Sequence, residues 1–220
     1  MGLHHTRRYA VLAGLGVSGL LTGQAKKEDE DVSPAEDLMR EHGLLKRVLL
    51  IYREAMRRID GKADLPPEVL TGAANLIRRF IEDYHEKLEQ DFLFPRFRKA
   101  GVLVELVDAL YDQHQKGRIL TDTTLRLAAA KSEEDRAKLR ESLYLFVRMY
   151  EPHEAREDTI LFPAFRKLVS AHEYGALGDD FEKKEHQMFG EEGFEKNVEA
   201  VAQLEKRLGI YDLAQFTPKL

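Results

Sequence analysis

Residues 85–99 read "HEKLEQDFLFPRFRK" and residues 153–167 read "HEAREDTILFPAFRK". At an offset of 68 the two stretches share the opening His-Glu, a Glu four places after the His, Leu-Phe-Pro and Phe-Arg-Lys. An α-helix turns 100° per residue, so positions four apart lie on one face, displaced by about 6 Å along the axis. His85 with Glu89, and His153 with Glu157, therefore project together. Each pair makes half a metal site: the imidazole nitrogen and one carboxylate oxygen bind one ion, and the second oxygen can reach another.

Working outward, the rest of the chain carries helix signals. Ser33-Pro34-Ala35-Glu36 is a capping box with proline in the first turn, opening a helix that Asp60-Gly61 stops. Pro66-Pro67-Glu68 opens a second, running through the first copy of the repeat to Gly101. A third covers about 102–130, and Ser132 caps a fourth, which carries the second copy and ends near Ser170. Pro95 and Pro163, ten residues after each repeat's His, are expected to kink or end their helices, and Pro152 to bend the fourth at its ligand turn. Four long helices with short connections predict an all-α, up-down-up-down four-helix bundle over residues 33–170. Residues 171–220 read as additional C-terminal helices whose Phe181, Met188, Phe189 and Phe194 pack across one end of the bundle.

The other two bundle helices each hold one candidate ligand, His42 in the first and His114 in the third, 72 residues apart. Folded antiparallel, the order His, His-x-x-x-Glu, His, His-x-x-x-Glu has approximate two-fold symmetry. It brings four imidazoles and two carboxylates to one interior level, with each Glu bridging and each metal receiving two imidazoles. Imidazole with carboxylate suits iron, manganese or zinc, and iron is preferred. Ferritin-like bundles use single Glu residues with Glu-x-x-His, a more carboxylate-rich set. A histidine-rich site is expected to favour binding a small ligand over oxygen splitting.

The 220 residues hold no cysteine, which excludes disulfides, iron–sulfur ligation and thiol catalysis. The net charge of −5, with Lys and Arg interspersed among Asp and Glu, leaves no footprint for nucleic acid. Arg7-Arg8, the short apolar run that follows and the small residues Gly23 and Ala25 read as an export signal over residues 1–25, loosely twin-arginine in type, followed by a charged linker over 26–32. The expectation is an exported, periplasmic or otherwise extracytoplasmic protein with no stable membrane span after cleavage, because the apolar run falls short of the about 20 residues a bilayer needs.

The pattern His42, His85-x-x-x-Glu89, His114, His153-x-x-x-Glu157, with Leu-Phe-Pro after each pair, resembles the hemerythrin-like cation-binding domains of bacteria over about residues 34–170. The resemblance implies a bundle holding a non-haem di-iron centre, open to dioxygen or a related diatomic ligand such as nitric oxide, or to peroxide. Members of that family are associated with oxygen carriage or sensing, nitric oxide or peroxide chemistry, and iron handling. Two functions follow as expectations: a carrier, scavenger or sensor of a diatomic ligand, or a di-iron enzyme acting on peroxide or nitric oxide. A helical interaction domain without di-iron function is the plain alternative. Oxygen-carrying hemerythrins have a further His four residues after the third-helix His, where this chain has Arg118; His186 is the candidate to replace it. Tyr111 reads as a core residue, or as lining the ligand pocket, and His172 as a solvated loop residue.

Overall fold

In the computed structural model, which describes residues 32–220, helix α1 begins where its capping residues stand. Ser33 accepts a hydrogen bond from the Glu36 N–H at 3.3 Å, and Pro34 occupies the first turn of α1 (Pro34–Asp60). Pro67 opens α2 (67–100), which closes at Gly101 with φ +67°, a left-handed conformation that glycine adopts without a Cβ penalty. Helix α3 (Val104–Leu127) follows, then α4 (133–168), whose cap Ser132 accepts from the Asp135 N–H. Ser170 caps α5 (Ala171–Phe189) in the same way, and α6 (Gly193–Leu208) completes six helices among the described residues, with a short 3-10 turn at Leu213–Phe216. The expected export segment 1–25, and the linker as far as residue 31, lie outside the described residues.

Around the bundle α1 packs on α2 and α4, and α3 packs on α2 and α4, as an up-down-up-down order demands. Tyr52, Phe80, Phe94, Phe97, Phe146, Phe162 and Phe165 fill its interior. Full burial of one such side chain contributes about 1.5–3 kcal/mol. Among the described residues no helix is long and apolar enough to cross a membrane.

Neither Pro95 nor Pro163 ends its helix. Each follows a wide π-helical turn, Glu89–Leu93 in α2 and Glu157–Leu161 in α4, and the α-helix resumes with the proline in its first turn. The π turn shifts the hydrogen-bond register, so the missing proline N–H falls where no helical acceptor is needed. Both turns begin at the Glu of a His-x-x-x-Glu pair. Pro152 lies within the unbroken stretch Glu133–Arg156, and the irregular turn comes after it, at Glu157.

Helices α5 and α6 lie along the α1–α2 side instead of capping an end. Their contacts follow α1 along most of its length: Tyr174 Oη accepts from the Ala35 N–H, the Arg40 guanidinium covers the Phe194 ring, Arg47 pairs with Glu205, and Arg58 donates to the Leu208 carbonyl. Phe181, Phe189 and Phe194 pack inward against α2 aromatics, whereas Met188 is exposed.

Candidate metal centre

Each bundle helix delivers its part to one interior level. His42 comes from α1, His85 and Glu89 from α2, His114 from α3, and His153 and Glu157 from α4; none is more than 3% exposed. Their ligand atoms form two groups, each within 4.8 Å: His42, His85, Glu89 and Glu157 in one, and His114, His153 and Glu157 in the other. Glu157 spans both, with Oε2 3.3 Å from His42 Nε2 and Oε1 3.1 Å from His153 Nε2. Glu89 Oε2 lies 3.8 Å from His85 Nε2 and 3.5 Å from His114 Nε2. The structure thus brings together all six of these sequence-derived candidates, two imidazoles to a group.

A second layer of side chains aims the imidazoles. Each Nδ1 is held from outside: His42 by Asp158 Oδ1 at 2.7 Å, His85 by Glu41 Oε2 at 2.7 Å, His114 by the Gln90 carboxamide at 2.8 Å, and His153 by Gln113 Oε1 at 2.8 Å. With Nδ1 occupied, Nε2 is left to face the interior. Phe162 stacks on His42 and Phe94 on His114, both at 5.6 Å between ring centroids. These Phe residues belong to the two Leu-Phe-Pro copies, which explains why that triplet accompanies each ligand pair. Each π turn places its Phe over the single His of a neighbouring helix.

The charge balance of the cluster fits cations. All four oxygens of Glu89 and Glu157 are buried without a hydrogen-bond donor, and His114 Nε2 faces His153 Nε2 at 3.2 Å. Acceptors turned toward one another in a dry interior are costly unless a proton or a metal cation lies between them. Burial and the neighbouring Glu157 push the Glu89 carboxyl well above its ordinary range. Burial acts the same way on Glu157, but the His153 and His42 imidazoles overcome it and hold that carboxyl well below its usual range. Burial also drives His85 and His114 well below the ordinary imidazole value, leaving them neutral and able to bind metal. His42 rises to about 9, because Asp158 and Glu157 outweigh its burial. Imidazole and carboxylate, without thiolate, match the iron, manganese and zinc class of site, and an ion at His42 would displace the proton that Asp158 and Glu157 favour there.

Four other sequence readings need correction or completion. His186 is half-buried and belongs to neither donor group; its neighbour Glu185 faces inward, one turn after Phe181, while His186 sits 100° further round α5. Tyr111 is neither core nor pocket lining: it is exposed, with Arg98 over its ring. His172 is exposed, but in the first turn of α5 and not in a loop. Arg118 turns to α2, donating to Asp83 Oδ1 at 2.9 Å and pairing with Glu86 at 3.4 Å. Lys46, four residues after His42 as Arg118 is after His114, pairs likewise with Glu154 at 2.7 Å. Position 118 thus completes an ion-pair clamp that α1 and α4 repeat. Glu41, Gln90, Gln113 and Asp158 were not singled out from sequence, although each adjoins a ligand at matching places in the repeat.

A family model for the hemerythrin HHE cation-binding domain matches the chain twice, over residues 33–128 and 105–219. An uncharacterized protein of Mycobacterium tuberculosis is 49% identical over 195 residues, which is 87% of this chain and 76% of that protein. An uncharacterized protein of Mycobacterium bovis is similar to the same extent. No solved structure matches the chain.

Proposed function

We propose that this chain, which belongs to the hemerythrin family of HHE cation-binding domains, holds two non-haem iron ions and takes a small diatomic ligand at them, dioxygen first, as a carrier, scavenger or sensor. The observation that carries this reading is the pair of donor groups joined through Glu157, whose inward-facing oxygens meet no hydrogen-bond donor. His42, His85, Glu89 and Glu157 would hold one ion, and His114, His153, Glu157 and Glu89 the other. Iron at such a site supplies reversible one-electron chemistry toward diatomic ligands. The protein's own contribution is to fix the imidazoles through Nδ1, to bridge with carboxylates and to exclude water. With every donor buried, and Phe162 and Phe94 stacked on His42 and His114, the interior favours a molecule of two or three atoms over a metabolite.

One feature favours a second reading, turnover of peroxide or nitric oxide. The Tyr150 hydroxyl donates to Glu86 at 2.7 Å, fully buried, with its ring 5.2 Å from His153, and so places a proton-bearing group beside the cluster. Metal analysis and ultraviolet-visible spectra of aerobically purified protein test the shared premise, with about two irons per chain expected. A colour change that reverses when oxygen is removed supports the carrier. Donor-dependent consumption of peroxide or nitric oxide above that of free iron supports the enzyme. Protein reconstituted with iron that retains none of it overturns both.

A further inference from the structure

The scaffold around the donors is symmetric, but its chemistry is not. The residue before the single His holds the Nδ1 of the paired His: Glu41 serves His85, and Gln113 serves His153. The residue after the paired Glu holds the Nδ1 of the single His: Asp158 serves His42, and Gln90 serves His114. At equivalent places in the two halves, carboxylates face one imidazole pair and carboxamides face the other. Both carboxylates serve the His42–His85 group, and both carboxamides serve the His114–His153 group.

We infer that Glu41, Asp158, Gln90 and Gln113 make the two metal positions unequal, so that a first divalent ion fills the His42–His85 position and a second, more weakly held, fills the His114–His153 position. This rests on the two-metal reading above. The inner donors already lean the same way, with His42, His85, Glu89 and Glu157 in one group and His114, His153 and Glu157 in the other, Glu89 Oε2 lying 3.5 Å from His114 Nε2. The outer acceptors add to the difference. An imidazole N–H donating to an ionised carboxylate makes a charge-assisted bond about twice as strong as one to a neutral acceptor, and it leaves more electron density on Nε2. A carboxamide oxygen carries only a partial charge. Gln113 presents Oε1 to His153, while Gln90 sets its Nε2 2.8 Å from His114 Nδ1 and would present its oxygen only after the 180° amide flip that exchanges its two ends; in either orientation the partner is uncharged. The clamps reinforce the bias: Arg118, 20% exposed, brings a largely desolvated positive charge toward the His114 side, whereas Lys46 is 54% exposed and screened by water.

Cobalt(II) added to metal-free full-length protein, followed by its visible absorption, tests the inference through binding alone. Wild type is expected to take two equivalents in steps at least tenfold apart, and a crystal at one equivalent to show the anomalous peak between His42 and His85. Glu41→Gln or Asp158→Asn should weaken the first step by about 10- to 100-fold, the range typical of lost outer-layer partners, and leave the second in place. Gln113→Glu should tighten the second step and narrow the gap. Two equal steps in wild type, a first cobalt between His114 and His153, or no tightening in Gln113→Glu overturns the inference while leaving the two-metal reading standing. Fewer than two cobalt ions bound by wild type overturns both.

Discussion

Replacing Glu89 with glutamine separates the role of this residue in holding metal from its role in holding the fold. Metal-free, Glu89 is buried, pushed well above the ordinary carboxyl range by burial and by Glu157, and without a hydrogen-bond donor at either oxygen. Burial and Glu157 favour its uncharged form in that state, which a carboxamide of the same size reproduces. Metal-free Glu89→Gln is therefore expected to unfold within about 1 kcal/mol of wild type, the scale of a volume-conserving core change. Metal-loaded, the two proteins should part. An ion that binds only the folded state, at a free concentration about 1,000 times its Kd, stabilises by about 4 kcal/mol, so two ions give about 8 kcal/mol. For a chain of this size each kcal/mol is worth roughly 2–4 °C, which puts the wild-type gain at about 15–30 °C.

Glutamine cannot bridge two cations as an anion, so the variant should retain less than half of that gain. Scanning calorimetry of both proteins, metal-free and with ferrous iron under anaerobic conditions, measures all four quantities. An equal metal-dependent rise in the variant would refute the bridging role. No rise in wild type would refute the metal centre itself.

Three further outcomes follow from the packing. A Cβ at Gly117 would sit 2.1 Å from Tyr150 Oη, so Gly117→Ala should cost about 1–3 kcal/mol in urea unfolding, and part of the loss should return in Gly117→Ala/Tyr150→Phe; additive losses would count against that contact. Burial raises the Glu82 carboxyl despite its bond from Thr121 and the nearby Arg78 and Arg118, so the folded state keeps that proton where the unfolded chain has lost it. Its contribution to stability is complete below the ordinary value of 4.5 and is lost as pH rises through the folded value; Glu82→Gln should flatten this slope in metal-free protein, and unchanged slopes between pH 4 and 8 would contradict it. Phe94→Ala should cost about 3–5 kcal/mol and weaken cobalt binding on the His114 side more than on the His42 side, as measured by the same absorption titration.

The bundle was legible because its signals are local: Ser33 and Ser132 cap, Pro67 opens, Gly101 closes, and each acts within a turn of its own position. The six inner donors were legible for a different reason. A spacing of four fixes two side chains on one face, and the repeat at an offset of 68 supplies the symmetry that brings four helices together. The path of α2 and α4 past Pro95 and Pro163 was not legible, since a π turn depends on the hydrogen-bond register of the whole helix and not on the proline alone. His186 lies outside both donor groups because the helix face that α5 turns inward is set by Phe181 and Glu185, a matter of rotation to which composition is blind.

The outer layer shows why a repeat can preserve a site and still differentiate its halves. Glu41 and Gln113 are alike in size and helix propensity, and Asp158 and Gln90, though they differ in both, stand outside the ligand spacing, so the bundle does not depend on which half carries the charge. The metal positions are not indifferent, because each imidazole Nε2 reflects what its Nδ1 meets. Side chains that matter little to the bundle can thus set the order and strength of ion binding. The His42–His85 half, backed by two carboxylates, is suited to retain its ion, and the His114–His153 half, backed by two carboxamides and the Arg118 charge, is suited to exchange it.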